Sequence, residues 1–258
     1  MSMPSLVAML PIFIEAQANG KGASSLKKRV NVLKMLLLFH DVEVSDNKLK
    51  TKLKLPRTIR RHKEPIDRQD IREILQACED IRVKTYIMLL AGTGMRAREA
   101  LALRFQDFDI TADPPRINIP GEITKTRTEY LTFLTPQTSA LMARLVKKAK
   151  GDHVFFNYHN ATTAAGKGAH IMAVWRVLVR TGLRKPTERQ DRKETMLNHS
   201  LRQHYRTVLE NAGIKEEHAE KLMDHGPKLV RTYAKPTPEQ WLETSQYMQA
   251  VPQLTFSF

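Results

Sequence analysis

The sequence predicts a mainly α-helical protein with a small antiparallel β-sheet, in which a short, helical, basic N-terminal region precedes a larger domain. Three observations predict it. Apolar residues recur at helical spacing through most of the 258 residues. The β-branched and aromatic alternation that marks strands is confined to the stretch from RINIPG to EYLTFL. Thirteen lysines and arginines stand against only Asp41, Glu43 and Asp46 in residues 21–63, after which the composition becomes ordinary. The expected division is therefore residues 1–63 and residues 64–258.

The elements follow in order. SLVAMLPIFIEAQA ends in an A-x-A-like pattern but lacks a basic leader and is interrupted by Pro11 and Glu15, so a short helix is expected and not a signal peptide. VNVLKMLLLFH carries one helical apolar stripe, and KLKTKLKLPRTIRRHKEP reads as a basic linker closed by prolines. PIDRQDIREILQACED and DIRVKTYIMLLAGTG give two amphipathic helices, the second ending in a Gly-rich turn. RAREALALRFQDFDI starts a further helix. RINIPG and EITKTRTEYLTFL then read as strands joined by a hairpin turn at KTRT, and the remainder reads as helix apart from a short HVFF segment. There is no internal repeat.

Composition bounds the function. Hydrophobic residues at 41% suit a globular protein, and no apolar stretch reaches the length of a membrane span, so a soluble, cytoplasmic protein is expected. Cys78, the single cysteine, lies in the apolar pattern IREILQAC, which points to core packing and leaves no disulfide or cysteine-based metal site. A net charge of +15 is self-repulsive unless it meets a polyanion, and nucleic acid is the leading candidate. Lys27, Lys28, Arg29, Lys50, Lys52, Lys54, Arg57, Arg60 and Arg61 are assigned to duplex DNA phosphates. The alternative for this run is a solvated connector.

Five polar residues stand out. Arg96 follows a Gly-x-Gly turn at the head of a helix, where backbone N–H groups and the dipole favour an anion; an ion pair with Glu99 is the bland alternative, and Arg98 or Arg104 are competing arginines. In HSLRQHYRTVL, His199 and Arg202 stand three apart and share one helix face. His225 and Tyr233 follow in LMDHGPKLVRTYAK. Metal-dependent chemistry would call for clustered carboxylates; Asp107, Asp109 and Asp113 sit in a strand-like run without a partner motif, so neither metal nor cofactor is expected.

With these boxes in order, the sequence resembles the tyrosine recombinase and phage integrase family over residues 64–240. TGMRAREALALRFQDFDI is similar to its first arginine box, HSLRQHYRTVL to its second, and LMDHGPKLVRTYAK to the segment carrying the tyrosine. The resemblance implies a catalytic set of Arg96, Lys125 in the hairpin ITKTRTEYLTFL, His199, Arg202, His225 and Tyr233 as nucleophile. The family usually has glycine before the later histidine; here that position is Asp224, and the glycine follows as Gly226. Tyr205 and Tyr247 are rival tyrosines. Further implications are a C-shaped clamp on double-stranded DNA, a 3′-phosphotyrosyl intermediate, and integration or excision of a mobile element. The expected assembly is a homo-tetramer on two DNA sites, monomeric or weakly associated without DNA. A type IB topoisomerase-like relaxing activity and a catalytically lapsed DNA-binding protein are the alternatives.

Overall fold

A computed structural model describes residues 23–42, 45, 47, 66–147, 151–155, 164–183, 197–224 and 237–258. The chain divides into two compact units, Met1–His62 and Lys63–Phe258. In the first, helix α1 (Ala23–Phe39) buries Leu26, Val30 and Leu37 along one face, while Lys27 and Lys28 are exposed and Arg29 is half-buried. Its turns end where His40 and Asp41 close on Leu37 and Leu38, with Asp41 at φ +57. Lys50, Lys52, Lys54, Arg57, Arg60 and Arg61 lie outside the described residues.

The second unit begins with α2 (Arg68–Ala77), whose start is set by a reciprocal cap: Asp67 accepts from the Asp70 amide and Asp70 from the Asp67 amide. Helix α3 (Ile81–Thr93) opens on an Asp80 cap and ends at Gly94. The sequence pattern suggested an amphipathic helix, but every residue from Thr85 to Thr93 is buried, because α3 is covered on several sides. Each Leu or Ile so buried contributes about 1.5–3 kcal/mol. Cys78 is also buried, and burial pushes its thiol up to about 11.

Helix α4 (Ala97–Ala102) stops well short of the helix expected over RAREALALRFQDFDI. Leu103 and Arg104 leave the helix to meet the HVFF segment: the Val154 amide donates to Leu103, the Phe105 amide to Asp152, and Arg104 bridges His153. The Asp107 carboxylate accepts from the Arg104 amide and winds Phe105–Asp107 into a single 3₁₀ turn. The described part of HVFF, His153–Phe155, thus supplies one bridge and two buried residues, Val154 and Phe155.

A three-stranded antiparallel sheet follows: β1 (Phe108–Asp109), β2 (Arg116–Ile119) and β3 (Tyr130–Phe133), in that order. Phe108 pairs with Ile117, and Ile119 with Tyr130. Ile117 and Ile119 point into the core and Asn118 outward, the alternation read in RINI. The hairpin between β2 and β3 is longer than its sequence suggested, because EIT forms turns. The Thr124 side chain, buried, donates toward the Gly121 and Thr128 carbonyls and accepts from the Thr128 amide, holding the loop from inside.

Helices α5 (Pro136–Val146), α6 (Ala164–Arg180), α7 (Leu197–Asn211), α8 (Glu216–Leu222) and α9 (Pro238–Ser245) complete the unit. α3 packs against α5, α6 and α7. A second cluster joins Tyr205 and Leu209 of α7 to Leu222, Trp241, Tyr247 and Leu254, and it seats α8 beside β3. Packing on these two clusters sets the ends of α3, α7 and α8 beside the hairpin.

Candidate functional site

The site is built on a tight turn. Gly94 ends α3 at φ +61, a conformation that excludes most side chains, and the Tyr205 ring lies so close that an added Cβ would meet Tyr205 Cδ1 at 2.4 Å. Glycine is required there on both counts. The chain turns through Met95 into Arg96, the residue at the head of α4.

Arg96 is held by two residues. One turn ahead, Glu99 accepts from the Arg96 amide (3.0 Å) and from Nη1 (2.8 Å). Glu99 is only 1% exposed and also accepts from the Tyr130 hydroxyl (3.1 Å), so its buried charge is met by three donors. Asp224, just beyond α8, accepts from Arg96 Nη1 through its carboxylate (2.8 Å) and from Nη2 through its carbonyl (3.0 Å). The ion pair of Arg96 with Glu99, offered by sequence as the bland alternative, exists inside the site.

Arg202 reaches the same place from the second turn of α7. Its Nη1 donates to the Gly94 carbonyl (2.6 Å) and its Nη2 to the Met223 carbonyl (2.8 Å). Burial, and then the charge of Arg96, lower the pKa of Arg202, which still leaves a group that titrates far above neutrality charged. Burial also opposes the charge of Arg96, but Glu99 and Asp224 outweigh it and raise its pKa. Burial and then Glu99 push the Tyr130 phenol well above its ordinary value, so Tyr130 is a fixed donor near neutral pH.

The hairpin closes the fourth side. The Thr126 hydroxyl lies 2.9 and 2.8 Å from the two Asp224 carboxylate oxygens, which places its neighbour Lys125, exposed, on the same loop. His199 is exposed on the first turn of α7, one turn before Arg202. Arg98 and Arg104 are exposed and make no such convergence. His225 and Tyr233 lie outside the described residues, although His225 directly follows Asp224. The rivals Tyr205 and Tyr247 are fully enclosed, and burial raises both phenols.

Tyr130, Thr126 and the contact made by Asp224 escaped the sequence reading. Tyr130 was visible only as one aromatic in a strand pattern, and nothing local marks Thr126. Two of the three aspartates weighed as metal ligands are otherwise engaged: Asp107 caps the 3₁₀ turn and Asp109 pairs with Arg116. The described residues contain no group of three or more His, Cys, Asp or Glu placed to hold a metal ion, and no described helix is long and apolar enough to cross a membrane.

Comparison with known proteins adds independent findings. The model of the phage integrase family matches residues 64–240. Tyrosine recombinase XerA from Saccharolobus solfataricus is 29% identical over 103 residues, 40% of this chain and about a third (34%) of that relative's length. Among solved structures, the integrase from mycobacterium phage Brujita aligns over 100% of this chain and 80% of its own, with a TM-score of 0.55 at 15% identity. The Tn1549 transposon integrase in complex with circular intermediate DNA aligns over 91% and 82%, with a TM-score of 0.59 at 17% identity. The XerH recombinase bound to its difH substrate aligns over 92% and 69%, with a TM-score of 0.58 at 19% identity. At these identities the structural likeness establishes the fold.

Proposed function

The chain belongs to the phage integrase family, and from that premise we propose that it is a site-specific DNA recombinase that integrates or excises a mobile element. The observation that carries the reading is the convergence of Arg96 and Arg202. The two come from α4 and α7, and both donate into the Met223–Asp224 segment. Two guanidiniums so fixed suit the non-bridging oxygens of a phosphodiester, whose charge grows during displacement.

In the proposed step the Tyr233 oxygen attacks the scissile phosphorus, and its proton passes to His199. The phosphorus–5′ oxygen bond breaks, and Lys125 protonates the departing oxygen. The 3′-phosphotyrosyl bond retains the energy needed for rejoining, so the step calls for no energy-supplying cofactor, and side-chain cations take the place of a metal in this reading. Arg96, Arg202 and His225 hold the phosphoryl oxygens throughout. Burial of Tyr205 and Tyr247 supports Tyr233 as the nucleophile, since an enclosed phenol cannot reach a duplex. The exposed Lys27 and Lys28 agree with a basic N-terminal arm along double-stranded DNA. The assembly that completes exchange is a tetramer on two DNA sites.

The test is covalent trapping. Wild-type protein on a nicked suicide duplex is expected to form a protein–DNA adduct, and Tyr233→Phe to form none while binding DNA with nearly unchanged affinity. An adduct with Tyr233→Phe removes Tyr233 as nucleophile. No adduct with wild type, despite tight binding, leaves a DNA-binding protein.

A further inference from the structure

Before any substrate arrives, the Arg96 guanidinium already meets two carboxylates, while Arg202 beside it meets two backbone carbonyls. Arg96 and Arg202 carry two positive charges, and Glu99 and Asp224 carry two negative ones. The carboxylates are not equivalent. Glu99 is locked by the Arg96 amide, by Nη1 and by Tyr130, so removing it strands three donors. The Asp224 carboxylate has two partners, Arg96 Nη1 and the Thr126 hydroxyl. Both protons of Arg96 Nη1 are thus spent on carboxylates. A phosphoryl oxygen that is to accept from Nη1 must displace one of them, and Asp224 is the less firmly held.

Resting on the recombinase reading of this site, we propose that the Asp224 carboxylate is a built-in competitor for the phosphodiester. It occupies the anion position on Arg96 and, through Thr126, ties down the hairpin that carries Lys125. A phosphate group that takes Arg96 Nη1 displaces the Asp224 carboxylate and leaves Thr126 as its remaining partner, so the anion site and the hairpin share one residue. The backbone fits this role: Asp224 sits at φ +51, a conformation that Asp and Asn tolerate better than other side chains, with its amide donating to the Lys221 carbonyl. The side chain is thereby turned toward Arg96 and Thr126, where it is 9% exposed.

The substitution Asp224→Asn keeps the shape, the backbone conformation and an acceptor for Thr126 while deleting the charge. Asp224→Gly deletes the tether as well. With inorganic phosphate as the probe and no DNA, the Nε–H signals of Arg96 and Arg202 in ¹⁵N-arginine-labelled protein report binding at this site alone. Asp224→Asn is expected to bind phosphate about tenfold more tightly than wild type, the effect of removing one charge at ion-pair distance. Glu122→Gln alters the charge of the same hairpin equally without touching Arg96 and is expected to change affinity less than about twofold. Equal or weaker phosphate binding by Asp224→Asn overturns the competition and makes Asp224 a support for Arg96.

The tether has its own readout. Trypsin cleavage after Lys125 or Arg127, identified by mass spectrometry, is expected to be several-fold faster in Asp224→Gly than in Asp224→Asn, and equal rates refute the tether. Adduct formation on the nicked duplex separates the two ideas. Tighter phosphate binding by Asp224→Asn without adduct from either protein retains the competitor and removes the recombinase. An adduct from wild type with unchanged phosphate affinity does the reverse.

Discussion

Replacing Gly94 by alanine tests whether the site depends on one close approach. Alanine at φ +61 costs about 1–2 kcal/mol in backbone strain. Its Cβ would stand 2.4, 3.0 and 3.2 Å from Tyr205 Cδ1, Cγ and Cε1, where ordinary contacts begin near 3.4 Å. Tyr205 is 0% exposed and lies in the second core cluster, so the ring cannot swing away, and overpacking of this kind costs about 1–3 kcal/mol. The stiffer unfolded chain returns about 0.4–1 kcal/mol. The expected net loss is about 2–3 kcal/mol. Trp175 and Trp241 are the chain's two tryptophans and both belong to the second unit, so urea unfolding followed by tryptophan fluorescence reports that unit alone. Combining the change with Tyr205→Leu gives a double-mutant cycle whose coupling is expected to recover about 1–3 kcal/mol, the overlap without the strain. A loss below about 0.5 kcal/mol, or strict additivity with Tyr205→Leu, would refute the geometry. Arg202 is anchored on the Gly94 carbonyl, so the adduct rate should fall with stability.

Cleavage should persist in EDTA, because two arginines and a lysine stand where a metal enzyme places cations; loss restored only by Mg²⁺ would contradict this. Neutralising Lys50, Lys52 and Lys54 together should weaken binding to all duplexes alike and flatten the dependence of log affinity on log salt by about 0.9 per lost phosphate contact. An unchanged slope would make the run a tether. Lys125→Ala should be slow on ordinary DNA and recover on a substrate with a bridging 5′ sulfur, which leaves without a proton, whereas Arg202→Ala should not; equal rescue of both would remove Lys125 as the acid.

What could be read from sequence follows the range of each interaction. His199 and Arg202 share a face by helical spacing, and the Asp67 cap and the RINI alternation are equally local, so their patterns are explicit in adjacent residues. Helix α4 failed at Ala102 because its continuation was decided by pairing with residues 152–154, some fifty positions away, which no local propensity encodes. The site divides in the same way. Arg96 was identifiable from its turn, and its pairing with Glu99 from a spacing of three. The ties of Arg96 and Thr126 to Asp224 span 128 and 98 residues and exist only because α7 and α8 pack on α3 and β3. Sequence therefore singled out Asp224 as the position where a glycine was expected, without the means to say what the carboxylate does. That meaning comes from φ +51 at Asp224, which turns the carboxylate onto Arg96, and from a hairpin that places Thr126 within its reach. A glycine there would meet the backbone requirement at lower strain. The carboxylate in its place adds the ties to Arg96 and Thr126 that a glycine lacks, and the phosphate affinity of Asp224→Asn decides between competition for Arg96 and support of it.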